Sequence, residues 1–341
     1  MTKSVPLQKI PVQAAVGKAL FHDMTAILEN GYKGARFKRG HVVTPEDVPV
    51  LLDMGKAHIY VWEETPGWVH EEDAARLVVE AAAGAGIEIP APSEGRFPLR
   101  ASVDGVFVLN RSGLSAINAV PDYTFATLRH GTPVCAGDVV VGARIVPLLT
   151  TIERVRKAET AARRYAPVFR VAPYCPLKTG MVITGSEIYE GRIRDAFRPI
   201  LEAKIRSLGG EALEPIICPD DAGQIEAAVR QLIGQGAALV LMTGGMSVDP
   251  DDLTPTVIRR LSDRFLFQGI PVQPGNMLTV GCMGDVVLMG MPGASMHSPV
   301  TSVDLFLPLI YAGVPFDAQD AARMGEGGLS VCQTFAIRQN C

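Results

Sequence analysis

Residues 237–256 read AALVLMTGGMSVDPDDLTPT, and their reading decides the fold. The run 237–242 is apolar throughout, the polar loop Thr243-Gly244-Gly245-Met246-Ser247-Val248-Asp249-Pro250-Asp251-Asp252 follows, and Leu253-Thr254-Pro255 opens the next element. This is a strand running into a glycine turn and then a helix that starts near Thr254. Two adjacent glycines let the backbone take φ > 0 and approach a ligand closely. The carboxyl ends of strands are where open α/β sheets bind their ligands. An acidic surface turn that caps the following helix is the alternative reading.

The same alternation extends outward from this stretch. Residues 178–184 read as a strand, 194–208 as a helix ended by Gly209-Gly210, 211–218 as a strand, and 222–233 as a helix ended by Gly234. Strands separated by helices imply parallel βαβ units with helices on both faces. A hairpin over 276–282 and 285–289 and a last helix over 297–312 complete the module. The expected fold is therefore α/β, a doubly wound, mainly parallel sheet over residues 166–316, preceded by smaller β-rich or α+β modules. The tail 317–341, glycine-rich at 324–328, is expected to be mobile.

Toward the N-terminus, residues 1–95 read as an α+β segment. They hold a helix with Thr44 as N-cap that ends at Gly55, a strand over 57–62, and an alanine-rich helix over 71–83. Residues 96–165 read as a small β-rich module with strands over 101–109, 124–128 and 139–146 and a connecting helix over 151–164.

Bulk composition narrows the function classes. The 341 residues are 48% hydrophobic and 20% charged, which suits buried cores and not disorder. A formal net charge of -4 argues against a general nucleic-acid binder. The cysteines, Cys135, Cys175, Cys218, Cys282, Cys332 and Cys341, form no CxxC pair, so reduced thiols and a cytoplasmic location are expected. The N-terminal MTKSVPLQKIPVQ has no apolar signal core, and no stretch approaches about 18 uninterrupted apolar residues, so neither export nor a membrane span is expected.

Placed side by side, the three strands bring TGSE (184–187), PDD (219–221) and TGGMSVDPDD (243–252) to one crevice. Gly185, Gly244 and Gly245 bare their backbone, and Ser186, Ser247 and Thr243 add hydroxyls, a combination suited to a phosphate or a polar heterocycle. Glu187, Asp195, Asp220, Asp221, Asp249 and Asp252 are oxygen donors of the kind Mg2+ takes together with ligand phosphates. Capping of the next helix is the competing role for each acid.

TGSEIYEGRIRDAF (184–197), CPDDAGQI (218–225) and LVLMTGGMSVDPDDLTPT (239–256) resemble, in order and spacing, the molybdopterin-binding domain of molybdenum cofactor biosynthesis proteins. The resemblance covers roughly residues 175–312. PVQAAVGKALFHDMTAI (11–27) and FKRGHVVTPEDVPVLLDMGKAHIYV (37–61) resemble parts of the larger members, the molybdopterin molybdenumtransferases. It implies a pterin-binding role for Thr184, Gly185, Ser186, Asp195, Asp220, Thr243, Gly244, Gly245, Ser247 and Asp249, and for the turns Pro274-Gly275 and Pro292-Gly293. It further implies that Glu187, Asp221 and Asp252 are the catalytic acids and Mg2+ ligands of an enzyme, and the modular N-terminal segments joined by an extended linker suit a homodimer. That enzyme would insert molybdate into adenylylated molybdopterin. A storage or delivery protein for a partner molybdoenzyme is the alternative. Departures from the family pattern favour the alternative: Asp104-Gly105-Val106-Phe107 stands for Asp-Gly-Tyr-Ala, Pro274-Gly275-Asn276-Met277 for Pro-Gly-Lys-Pro, and Met291-Pro292-Gly293-Ala294-Ser295 for Leu-Pro-Gly-Asn-Pro. Arg192, Arg194 and His297 are the candidates to replace the missing lysine and asparagine.

Overall fold

Every residue of the strand Leu239–Thr243 is buried, as an apolar run flanked by sheet on both sides and helices on both faces requires. The computed structural model describes residues 6–27, 33–62, 65–247, 249 and 252–330. Leu239–Thr243 pairs in parallel with Lys178–Thr184 on one side and with Val286–Gly290 on the other. Lys178–Thr184 in turn pairs in parallel with Glu211–Ala212 and Ile216–Cys218. Beyond Val286–Gly290 the sheet turns antiparallel through Thr279–Met283 to Arg264–Gln268, giving seven strands. The doubly wound, mainly parallel sheet is thus present.

Alternation along one strand builds two cores. Leu239 and Leu241 pack with Leu201, Ile205, Phe306 and Tyr311 from the helices Phe197–Ser207 and Val303–Tyr311. Val240 and Met242 pack with Ile225, Val229, Leu232 and Ile258 from Ala222–Gly234 and Thr254–Leu261.

The chain forms two compact units, the first comprising Met1–Ser102, Leu109–Arg129 and Ala136–Val171, the second Val103–Val108, His130–Cys135 and Ala172–Cys341. The segments 1–95 and 96–165 therefore lie together in the first unit, apart from two excursions. Those two join the second unit because Thr132–Val134 pairs antiparallel with Gly105 to Phe107 and Val106 enters the core around Phe306.

Several boundaries differ from those expected, each for a local reason. The 211–218 strand is broken before Ile216 because Pro215 offers no N–H to the ladder. The 194–208 helix begins at Phe197 because Asp195 accepts hydrogen bonds from the Phe197 and Arg198 N–H groups. The last helix begins at Val303, after a short helical turn Gly293–Met296 and Pro299. The edge strand Arg264–Gln268 carries no alternation that announces it. Residues 317–330 are not a loose tail. Asp317 and Asp320 form a reciprocal capping box on Ala318–Arg323, and the Gln273 N–H donates to the Gly328 carbonyl at 3.1 Å. Cys332 and Cys341 lie outside the described residues.

In the first unit, Gln8–Pro11 pairs with His58–Val61 and Met24–Ile27 with Lys33–Phe37, around a core that includes Val12, Leu20, Leu51 and Ile59. A four-stranded antiparallel sheet follows, in the order Ile87–Glu88, Arg96–Ala101, Val139–Ile145, Tyr123–Thr127. The expected strand over 101–109 is two strands, separated by the turn at 102–104. Thr44 does not cap the helix Asp47–Asp53; instead the Asp47 carboxylate reaches back to the Thr44 N–H at 2.9 Å and hydroxyl at 3.0 Å. Among the described residues no helix is long and apolar enough to cross a membrane.

His70 caps the helix Glu71–Ala82 through its Nδ1, which accepts from the Glu72 N–H, while Nε2 donates to the Phe21 carbonyl at 2.9 Å. One nitrogen accepts and the other donates, so the ring is neutral. Burial and the Arg39 charge lower its pKa to about 4. The adjacent Glu71 is also buried, its Oε2 has no partner, and burial raises its pKa from 4.5 to about 7. The two groups oppose each other in pH. The His70 contribution is present above its unfolded value near 6.5 and fades as pH falls through about 4. The Glu71 contribution is complete below 4.5 and is lost as pH rises through about 7. Glu71→Gln should remove the second limb and leave the His70 limb unopposed, so that the melting temperature of the first unit rises between pH 4.5 and 6.5 more steeply than in the wild type; melting profiles of both proteins across that range check this.

Candidate functional site

The three central strand ends meet as one edge in the second unit. The Thr184 hydroxyl donates to the Thr243 carbonyl at 3.1 Å, tying the two central strands where both chains leave the sheet. Gly244 follows with φ +83°, and a Cβ there would lie 2.3 Å from the Thr184 carbonyl oxygen. Gly245 has φ +52°. Thr254 then closes the loop, its hydroxyl donating to the Gly244 carbonyl at 2.8 Å and its N–H to the Gly245 carbonyl at 3.2 Å.

Two polar atoms within this closed loop are left over. The Thr243 hydroxyl belongs to a fully buried residue and has no hydrogen-bond partner. The Oδ2 of half-buried Asp252 is likewise buried and unpartnered. A buried polar atom without a partner costs about 1–3 kcal/mol, so a ligand that satisfies both atoms stabilises the loop. Ser247 and Asp249 are exposed, and the Asp249 carbonyl accepts from the Asp252 N–H at 3.0 Å. Val248, Pro250 and Asp251 lie outside the described residues.

Asp195, Asp220 and Asp221 have structural partners. Asp220 accepts from the Ser186 N–H at 3.0 Å and hydroxyl at 3.3 Å, which joins the first two turns. Asp221 is the N-cap of Ala222–Gly234, accepting from the Gln224 N–H at 2.8 Å. Asp195 caps Phe197–Ser207 as described. Glu187 bends over Gly185, where a Cβ would sit 3.2 Å from its Oε1. Among the described residues, no three His, Cys, Asp or Glu side chains stand close enough to hold a metal ion. Glu187, Asp221 and Asp252 thus form no three-ligand cluster by themselves; the Mg2+ expected of them is one shared with ligand phosphates. Helix capping holds Asp221. Cys218, at the end of the neighbouring strand, is no thiolate nucleophile, since burial, with Asp220 and Asp221 adding to it, pushes its pKa up to about 11.

Pro274-Gly275 and Pro292-Gly293 are tied inward. The Ser302 N–H donates to the Pro274 carbonyl at 3.2 Å and its hydroxyl to the Gly275 carbonyl. The Ser295 N–H donates to the Pro292 carbonyl at 2.9 Å, and its hydroxyl meets that of Thr301 at 3.1 Å. Asp304 accepts from the Thr301 N–H at 2.8 Å and pairs with Lys204, whose Nζ also donates to the Pro299 carbonyl at 3.0 Å. Sequence reading missed this network, although Thr301-Ser302-Val303-Asp304 has the capping spacing that could have announced it. Arg192, Arg194 and His297 are exposed, and Arg192 pairs with Glu190.

Comparison with known proteins finds similarity over the second unit and the N-terminal segment. Residues 180–312 match the family model "Probable molybdopterin binding domain", and residues 9–63 match a domain of unknown function. A molybdopterin molybdenumtransferase of Haemophilus influenzae is 29% identical over 212 residues, 59% of this chain and 49% of the relative. One of Synechococcus elongatus is 27% identical over 195 residues, 54% of this chain and 45% of the relative. The chain thus spans about half the length of these curated relatives. A CinA-like protein of Mycobacterium avium is 37% identical over 89 residues, 26% of this chain and 20% of that protein.

The capping role of Asp221 has a measurable consequence. Asp221→Ala should lower unfolding stability by about 1 kcal/mol and Asp221→Asn by much less, because Asn caps as well as Asp; urea unfolding of the pair distinguishes a cap from a metal ligand, for which Asn and Ala fail alike.

Proposed function

We propose that the edge formed by Thr184, Gly185, Ser186, Thr243, Gly244, Gly245 and Asp252 binds molybdopterin, free or adenylylated, in the biosynthesis of the molybdenum cofactor. The observation that carries the reading is the pair of buried, unpartnered atoms, Thr243 Oγ1 and Asp252 Oδ2, in a glycine loop at the carboxyl end of a parallel strand. The match of residues 180–312 to a molybdopterin-binding family model supports the ligand class. The names of the full-length relatives support a transferase acting on molybdopterin, with molybdate as the second substrate.

This chain's residues contribute binding and orientation. Gly244 and Gly245 turn the loop at positive φ, with the space a side chain would need taken up by Thr184 on one side and by Leu253 and Thr254 on the other. Thr184 and Thr254 fix the loop by hydrogen bonds to its carbonyls. Asp220 holds the Ser186 turn against the neighbouring strand end. Among the described residues no three acids cluster, which suits a divalent cation held by one or two carboxylates together with ligand phosphates.

A second reading, storage or delivery of the cofactor to a partner molybdoenzyme, is favoured by the inward ties of the Pro274-Gly275 and Pro292-Gly293 turns, which lack the family's lysine and asparagine. Incubation with adenylylated molybdopterin, Mg2+ and molybdate separates the two. AMP release with metal insertion is the transferase outcome, and tight binding without AMP release is the delivery outcome. Absence of binding rejects both.

Thr243→Val should separate binding from folding. Removing an unsatisfied buried hydroxyl at constant shape should leave stability unchanged or raise it by about 1 kcal/mol, while molybdopterin affinity falls by about tenfold. Parallel urea unfolding and fluorescence titration check both halves.

A further inference from the structure

Resting on the molybdopterin-binding reading, we propose that Asp252 recognises the amino-pyrimidinone edge of the pterin ring and is not a metal ligand. An ionised carboxylate accepts hydrogen bonds and donates none. Its buried, unpartnered Oδ2 therefore calls for either a cation or an N–H or O–H donor. Phosphate and molybdate present oxygen acceptors to it, so neither satisfies this atom.

A resident cation is poorly served at this edge. Mg2+ takes six oxygens in near-octahedral array, and with few protein carboxylates at hand most of them come from water and ligand phosphates. Asp220 is bonded to the Ser186 N–H and hydroxyl, Asp221 to the Gln224 N–H, and no three candidate ligands cluster among the described residues.

A pterin supplies what is missing. Its 2-amino group and the adjacent ring N–H form two parallel donors, the arrangement that a carboxylate accepts in bidentate fashion. The next substituent on that edge is a carbonyl, and the second orphaned group of the loop, the Thr243 hydroxyl, is able to donate. Gly245 turns the chain close to Asp252, a Cβ on it lying 3.6 Å from the Asp252 Cα, and the bond from Thr254 to the Gly244 carbonyl holds the loop in place. The acidic end of the loop is then a ring-specificity device.

The test uses the full chain and three fluorescent ligands: molybdopterin, neopterin, and the lumazine counterpart of neopterin, in which a carbonyl replaces the 2-amino group. Titrations are run in EDTA and in Mg2+. The wild type should bind neopterin equally in both buffers and bind the lumazine about tenfold or more weakly, since a site built for a donor rejects an acceptor. Asp252→Asn offers a donor beside its acceptor, and should erase or invert that preference while the urea midpoint stays where it was. Thr243→Val should weaken both ring systems alike. Neopterin binding that requires Mg2+, equal affinity for the two rings, or molybdopterin binding without neopterin binding each overturns the role given to Asp252 and leaves the proposed function standing. Failure of molybdopterin itself to bind overturns both.

Discussion

The position of Gly244 leaves no space for a side chain, and the rest of the site depends on that. A Cβ there would fall 2.3 Å from the Thr184 carbonyl oxygen and 2.4 Å from its hydroxyl oxygen. The close approach lets Thr184 reach the Thr243 carbonyl, so the two central strands stay joined to their last residue. With φ at +83° the chain then folds back, and Thr254 receives it through the Gly244 and Gly245 carbonyls. The loop is thus tied back to its own start by Thr254, while Ser247 and Asp249 farther along it are exposed. Thr243 Oγ1 and Asp252 Oδ2 are buried without partners, an arrangement that is unfavourable until a ligand arrives.

Carboxylates elsewhere on the edge face a choice between the helix that follows and a ligand in front. Asp195 and Asp221 are held by the first N–H groups of their helices, a bond that is local in sequence and forms with the helix itself. Asp220 instead crosses to the next turn and orders Ser186. Asp252 is different because the helix behind it is opened by Thr254 and Pro255, and Leu253 at its N-cap provides no side-chain bond. Its carboxylate is left facing the loop. The division among acids follows from where each one stands relative to its helix.

This explains what could be read from residues alone. The apolar run 237–242, the paired glycines and the alternation of strands and helices are dictated by local sequence, and the parallel sheet was legible from them. Both cores follow from the odd and even positions of one strand. The roles of Asp195, Asp220 and Asp221 were not legible, because an acid after a strand has the same signature whether it caps a helix or meets a ligand. Nor was the edge strand Arg264–Gln268, whose Phe267 joins a core assembled from distant segments. The tail was misread for a related reason. Its glycines signal freedom locally, whereas Gly328 lies so close to Pro271 that a Cβ there would fall 2.1 Å from the Pro271 carbonyl oxygen.

The missing lysine and asparagine of the two proline turns fit the same scheme. A positive charge does stand behind those turns, on Lys204, but its ammonium is engaged by Asp304 and the Pro299 carbonyl, and only 14% of the side chain is exposed. Drawing it out toward an oxyanion would leave Asp304, itself 6% exposed, as an uncompensated buried charge. Breaking a buried pair in that way costs about 3–5 kcal/mol, more than one surface contact to an oxyanion returns. The cation of this region therefore serves the scaffold. It holds Asp304, which holds Thr301, which meets Ser295, so the turn after Pro292 is fixed from behind. What is left without a partner at this edge is the pair of buried oxygens in the glycine loop, Thr243 Oγ1 and Asp252 Oδ2, of which the carboxylate oxygen accepts from a donor and does not suit an oxyanion.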